Sequence, residues 1–248
     1  MFGKIDKKKI VFLGDTDSIN IEIIINSHKI LKNKLKYIII CNKLELENYL
    51  KKIKANIEVN EILDPIEFSK YKKDSVNIFN IENIYKRKYQ NLLYHLNTSN
   101  NLAQLTGYDL ITMPVDKSIF KKEIKFNGIT EYLGKINKKN TAMLMFGENF
   151  SVLPLTTHIN IKDVHKSLKE IKLKKNLYNI FNLLKFKKYN LKFKYIRFLC
   201  YNPHCGENKT IGIEDSIISK LIKKKYKRIS GPYPADSEFK NNIRKNTL

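Results

Sequence analysis

The chain has 248 residues, 42% hydrophobic and 29% charged, with a net charge of +23. This composition excludes a largely disordered chain, and no apolar run nears the roughly 20 residues that a membrane-spanning helix needs. The charge comes from 43 Lys against only 4 Arg. Readers of phosphate and bases lean on the planar guanidinium fork, so the excess reads as a Lys, Asn and Ile bias of the whole chain and argues against nucleic acid as the partner.

The N-terminus, MFGKIDKKKIVFLGD, is basic and then apolar. Its apolar stretch, IVFLG, is too short for a secretory h-region and reads as a first strand. Short apolar runs then alternate with helix-like segments, which predicts an α/β fold with mostly parallel sheets. The candidate strands are Ile10–Leu13, Tyr37–Cys41, Val76–Ile81, Tyr108–Met113, Ala142–Phe146, Val152–Thr156, Tyr195–Cys200 and Tyr226–Ile229. Their apolar residues run continuously, as in strands covered on both faces. MLMFGENFSVLPL predicts an antiparallel hairpin turning at Gly147-Glu148-Asn149. Val164, Leu168, Ile171, Ile180, Phe181 and Leu184 recur at helical spacing, which predicts a helix from Lys162 to Leu184. The predicted division is an N-terminal α/β lobe over 1–114, a second α/β lobe over 115–239 and a polar tail over 240–248.

No glycine-rich phosphate loop is present, so a nucleotide cofactor would not be held by the usual fingerprint. Three cysteines, Cys41, Cys200 and Cys205, are too few and too scattered for a disulfide framework, and a reducing, cytoplasmic location is the expectation. Of five histidines, His28, His95 and His165 read as structural or solvent-facing. His158 and His204 differ, because each directly follows an apolar strand, in SVLPLTTH and YIRFLCYNPH. The carboxyl ends of strands are where open α/β sheets bind ligands, and two imidazoles there can share a divalent cation. Asn202 and Glu207 flank His204. Asp236 follows another strand, in GPYPADSEF, and Thr112 and Lys117 a further one, in TMPVDK. Polar, catalytically able residues thus converge from four strand ends, as sites are usually built.

FNGITEYLGKI, TAMLMFGENFSVLPLTTHINIKDV, YNPHCGENKTIGIED and GPYPADSEF, in this order, resemble 4-hydroxythreonine-4-phosphate dehydrogenase, the PdxA family of pyridoxal phosphate (vitamin B6) biosynthesis. The resemblance runs from about Ile10 to Phe239 and is densest after Tyr108. It implies two α/β/α lobes like those of isocitrate and isopropylmalate dehydrogenases, with the active site in the cleft between them, and a homodimer whose chains share each site. It implies oxidation of a phosphorylated hydroxy amino acid by NAD or NADP, followed by decarboxylation, with zinc, magnesium or cobalt as Lewis acid. By motif, His158 and His204 match two metal ligands, Thr130 matches a contact to the substrate phosphate, and Asp236 matches an acidic residue beside the site. Ile129 stands where the family has His, and GDTDSINIE replaces a glycine-rich GDPAGIGPE motif. In the family the chain continues past the PAD motif with a third metal-binding His, in a YHDQG sequence, and with Lys, Asn and Arg that bind substrate. These 248 residues contain no such stretch.

Overall fold

A computed structural model describes residues 8–31, 34–120, 124, 126–147, 150–167, 196–225 and 229–241. They form two compact units, one within Lys4–Leu133 and one within Gly134–Leu248.

The first unit is a five-stranded, wholly parallel sheet. Its strands are β1 (Lys8–Phe12), β2 (Lys36–Cys41), β3 (Val59–Glu61), β4 (Val76–Asn80) and β5 (Asp109–Thr112), in the order β3-β4-β2-β1-β5. Ile38, Ile39 and Ile40 are each fully buried, as a central strand with both faces covered requires. Alternate side chains serve opposite layers. Val11, Leu13, Ile39 and Cys41 pack on Ile21, Ile24 and Ile25 of α1 (Asn20–Leu31) and on Leu46 and Leu50 of α2 (Lys43–Lys52). On the other face Ile10, Ile38 and Ile40 meet Tyr94 and Leu102 of α3 (Lys88–Thr106). Fully burying each such side chain contributes about 1.5–3 kcal/mol. Lys9 and Asp109 pair at 2.5 Å across the β1–β5 ladder.

This unit extends beyond Pro114 to Leu133 because the segment after β5 folds back onto it. A 3₁₀ turn (Lys117–Phe120) drives Phe120 into a cluster with Phe12, Leu92 and Leu96, and α4 (Ile129–Ile136) adds Ile129, Tyr132 and Leu133 to the same cluster. The short strand β3 has no counterpart among the predicted strands. Its VNE sequence lacks a continuous apolar run, and pairing with β4 makes it a strand.

In the second unit β6 (Ile196–Leu199) and β7 (Ile229–Tyr233) pair in parallel. They are covered by α6 (Glu214–Lys225), whose Ile218, Leu221 and Ile222 pack on Ile229, Ile196 and Phe198. The predicted hairpin shrinks to one antiparallel bridge, Met145 to Val152, with both backbone bonds at 2.8 Å. Of the last predicted strand only Ile229 lies among the described residues, and it opens β7, which continues through GPY. The helix predicted from Lys162 is seen as α5 (Ile161–Ser167), and the rest of it lies outside the described residues. A final helix, α7 (Ala235–Asn241), follows β7 and includes Asp236. Among the described residues no helix is long and apolar enough to cross a membrane.

One side chain ties the carboxyl ends of β1 and β5 together. The fully buried Nδ2 of Asn20, at the start of α1, donates to the carbonyls of Leu13 (3.0 Å), Asp15 (3.2 Å) and Pro114 (2.8 Å). Gly14 sits beneath this knot with φ +74°, and a Cβ there would lie 2.3 Å from the Pro114 oxygen. Asn20→Ala leaves the Leu13 carbonyl without this donor, while those of Asp15 and Pro114 keep the Ser18 hydroxyl and the Asp15 N–H, and should lower the unfolding free energy of the chain by about 1–2 kcal/mol, read from the urea midpoint at unchanged slope.

Candidate functional site

The loop after β6 carries the residues singled out by their sequence. Asn202 opens a turn over Pro203–Lys209. His204, Cys205, Gly206, Glu207, Asn208 and Lys209 all have positive φ, from 41° to 79°. Five of the six are not glycine, and each left-handed residue of that kind costs roughly 1–2 kcal/mol. Gly206 is the buried member, and a Cβ there would lie 2.6 Å from the Gly212 oxygen.

A carboxylate holds this turn. Asp215, 2% exposed in the first turn of α6, accepts the backbone N–H of Tyr201 at 2.7 Å on Oδ1. On Oδ2 it accepts the N–H of Asn202 at 2.9 Å and its side-chain amide at 3.0 Å. The same amide donates to Glu214 at 2.9 Å, which holds the Glu214 carboxyl below its usual range. Asn202 is therefore bound into the scaffold of the loop, while His204 and Glu207 are exposed on it. The Glu207 carbonyl accepts from the backbone and hydroxyl of Thr210.

Cys200 and Cys205 are joined as a disulfide with Cα atoms 5.1 Å apart, which corrects the expectation of three scattered thiols. The turn folds position 205 back against the end of β6, a closure that residue spacing does not announce. Cys41 alone remains a free thiol, buried in the first unit.

The other sequence-derived candidates are spread over both units. His158 is exposed and also has a left-handed backbone, φ +52°. Asp236 is exposed at the start of α7 and accepts the Ser237 N–H at 2.8 Å. That helix is anchored by Arg197 of β6, whose guanidinium donates to Glu238 at 2.6 Å and lies over the Tyr233 ring. In the first unit, Thr130 is half-buried in the first turn of α4 and Lys117 is exposed on the 3₁₀ turn. Ile129 packs against the Phe12–Phe120 cluster, so this position serves the apolar core. Among the described residues no three His, Cys, Asp or Glu side chains come together as a resident cation requires.

A crevice of about 490 Å³ opens at the carboxyl ends of β1 and β2. Gly14, Asn42, Glu45, Lys52, Lys86, Lys88 and His95 are among its lining residues. Lys88 bridges Asp15 (2.8 Å) and Asp17 (2.5 Å), and its cation holds the Asp17 carboxyl below the usual range. His95 is buried in α3, and burial depresses its imidazole to about 4 despite a hydrogen bond to the Glu82 backbone. Its Nε2 is buried without a hydrogen-bond partner. The sequence reads His95 as structural or solvent-facing, and its burial leaves the first of these. Only the fold brings α3 beside the ends of β1 and β2. His28 is structural, with Nδ1 2.8 Å from the Tyr37 hydroxyl, and His165 is exposed, 3.5 Å from Glu214.

The first unit's parallel sheet, with a polar crevice at the carboxyl ends of its strands, defines an open α/β protein with the crevice where such sheets bind ligands. The model of the family described as pyridoxal phosphate biosynthetic protein PdxA matches residues 19–247. The chain is 31% identical to a 4-hydroxythreonine-4-phosphate dehydrogenase of Campylobacter fetus subsp. fetus, over 94% of this chain and 74% of that protein. It is 29% identical to the enzyme of that name from Aquifex aeolicus, over 95% of this chain and 77% of that protein. A crystal structure of a 4-hydroxythreonine-4-phosphate dehydrogenase from Klebsiella pneumoniae shares the fold, with a TM-score of 0.76 at 20% identity, covering 94% of this chain and 77% of the other. The chain belongs to the PdxA family.

Two measurements check this geometry. Asp215→Ala leaves the Tyr201 and Asn202 N–H groups without their acceptor, and should cost about 2–4 kcal/mol and speed hydrogen exchange across 201–210. His95 should titrate near 4 in the folded protein by NMR, against 6.5 for an ordinary histidine. Between those values the unfolded chain holds more protons, so stability falls as the pH drops, by about 2 kcal/mol from this group at about pH 5. His95→Gln should remove that part of the decline.

Proposed function

We propose that this chain is an NAD-dependent dehydrogenase that oxidises 4-phosphohydroxy-L-threonine, with loss of carbon dioxide, in pyridoxal 5′-phosphate biosynthesis. The observation that carries the reading is the backbone of two loop histidines, His158 and His204. Both are exposed and both have left-handed backbone, in a chain that matches the PdxA family model over 19–247. Non-glycine residues persist in that conformation where a site demands it.

The crevice of the first unit suits one nucleotide half of the cofactor in size and polarity. Lys52 and Lys86 offer charge toward phosphate there, and Asn42 and Asn83 offer amide groups toward hydroxyls. The close packing at Gly14 keeps the floor of the crevice free of a side chain. When bound, NAD supplies the hydride acceptor. Thr130, in the first turn of α4, presents a hydroxyl beside the helix N-terminus, where a substrate phosphate is favoured. Lys117 adds a cation on the preceding turn. Once the substrate hydroxyl is oxidised, the ketone lies β to the carboxylate, and the electrons of the breaking C–C bond move to that carbonyl as carbon dioxide leaves.

His158 and His204 are the side chains of this chain suited to hold a divalent cation. Two imidazoles do not make a complete site, and the described residues bring no third donor to them. Asp236, Asn202 and Glu207 are accessory polar groups of the second unit in this reading. A cytoplasmic homodimer is the assembly that fits it.

The test is NADH formation from 4-phosphohydroxy-L-threonine, followed in parallel with carbon dioxide release, with zinc, magnesium or cobalt added in turn. Both products should appear in equal amounts, and His158→Ala and His204→Ala should each lower kcat/KM by roughly 100-fold or more. Folded protein that turns over with none of the three cations overturns the reading in favour of a non-catalytic family member.

A further inference from the structure

The turn that carries His204 is closed by a covalent bond whose place in the fold gives it a consequence. Cys200 ends β6, and its backbone N–H donates to the Tyr233 carbonyl at 2.9 Å, so one end of the bond is fixed to the sheet. Cys205 lies inside the left-handed turn, one residue after His204, at φ +57°. Asp215 holds the entry to the turn at residues 201 and 202, the Cys205 N–H donates to the Asn202 carbonyl at 3.2 Å, and the disulfide adds the covalent link from position 205 to the end of the strand. The six residues with positive φ run from His204 to Lys209, beyond the reach of those Asp215 bonds.

The bond is also reachable. Both cysteines are half-buried. Cys205 lines an open crevice of about 550 Å³ with Asp215, Ser219, Lys223 and Tyr233. The third cysteine cannot compete, because Cys41 is buried in the other unit and burial pushes its thiol far above the usual range. A pair that is close in space, accessible and isolated from other thiols meets the requirements of a thiol–disulfide site.

We propose that Cys200 and Cys205 form a redox-active pair, exchanging with small thiols of the glutathione class, and that the disulfide orders the turn that presents His204. In reduction, the thiolate of one reductant molecule attacks a sulfur of the Cys200–Cys205 bond. That bond breaks as the mixed disulfide forms, and the released cysteine takes up a proton. A second reductant thiolate then displaces the remaining cysteine, which is protonated in turn. Two electrons and two protons reach the protein, and the reductant leaves as its own disulfide. Oxidation by the disulfide form of the same reagent is the reverse. With both thiols free, the positive-φ residues from His204 to Lys209 lose their covalent closure and sample ordinary backbone conformations. His204 rides on this turn whatever it binds, so the effect does not depend on the dehydrogenase reading.

The experiment uses the whole chain equilibrated in buffers of reduced and oxidised glutathione, quenched with acid, alkylated and weighed intact. Cys200 and Cys205 should pass together through one two-electron transition while Cys41 stays unmodified in the native protein. Hydrogen exchange over 200–212 should be at least roughly tenfold faster in the reduced form, with the first unit unchanged. The double variant Cys200→Ser, Cys205→Ser should show the fast exchange in both buffers. If the pair stays reduced in excess oxidised glutathione, or if oxidation leaves exchange over 200–212 unchanged, the proposal fails. Both of those outcomes are read on the unsubstituted chain, so a variant that does not fold leaves the test decisive.

Discussion

The carboxamide of Asn20 is the interaction on which the first unit depends. Its Nδ2 reaches carbonyls on both sides of the β1–β5 junction, including that of Pro114, 94 residues away. Parallel strands end in carbonyl groups with no partner from the ladder, and burying them unpaired would cost more than most single contacts return. By donating toward three carbonyls at once, one side chain helps the loop after β1 lie close to the end of β5. The same approach leaves no room for a Cβ at Gly14 and forms the floor of the polar crevice.

The second unit solves the converse problem with a carboxylate. The turn after β6 presents N–H groups, and Asp215 accepts two of them together with the Asn202 amide. Charge-assisted bonds of this kind are among the stronger ones available, which suits a turn whose next residues adopt unfavourable backbone conformations. The two units therefore use one strategy. A short, buried polar side chain at the start of a helix ties down the loop at the end of a neighbouring strand. Functional side chains such as His204 are left exposed on the loop, with little structural work of their own.

Much of this was legible in the residues. The runs IVFL and YIIIC are continuous because both faces of each strand are covered, and the fold bears that out in β1 and β2, whereas YIRFLC gives β6 with half-buried side chains. The order of TTHI, NPHCGE and GPYPAD pointed to the family that the comparisons show. Other elements were not legible for identifiable reasons. VNE becomes β3 only by pairing with β4, and three residues with two adjacent polar ones carry no strand signal of their own. Ile129 stands where the family has His, and only the fold shows it packed on the Phe120 cluster. Cys200 and Cys205 read as unrelated thiols until the turn brought them together.

What the sequence by itself determined is the class of fold, the run of its main parallel strands and the family. Those follow from local pattern: apolar continuity, turn residues and motif order. What only the tertiary structure decided is how the strand ends are built. The reach of Asn20 to Pro114, the capture of Tyr201 and Asn202 by Asp215, and the place of His95 of α3 beside β1 and β2 all join residues far apart in the chain. Such contacts leave no periodic trace in the sequence, because they depend on which strand lies beside which and on where a buried polar group finds its partner.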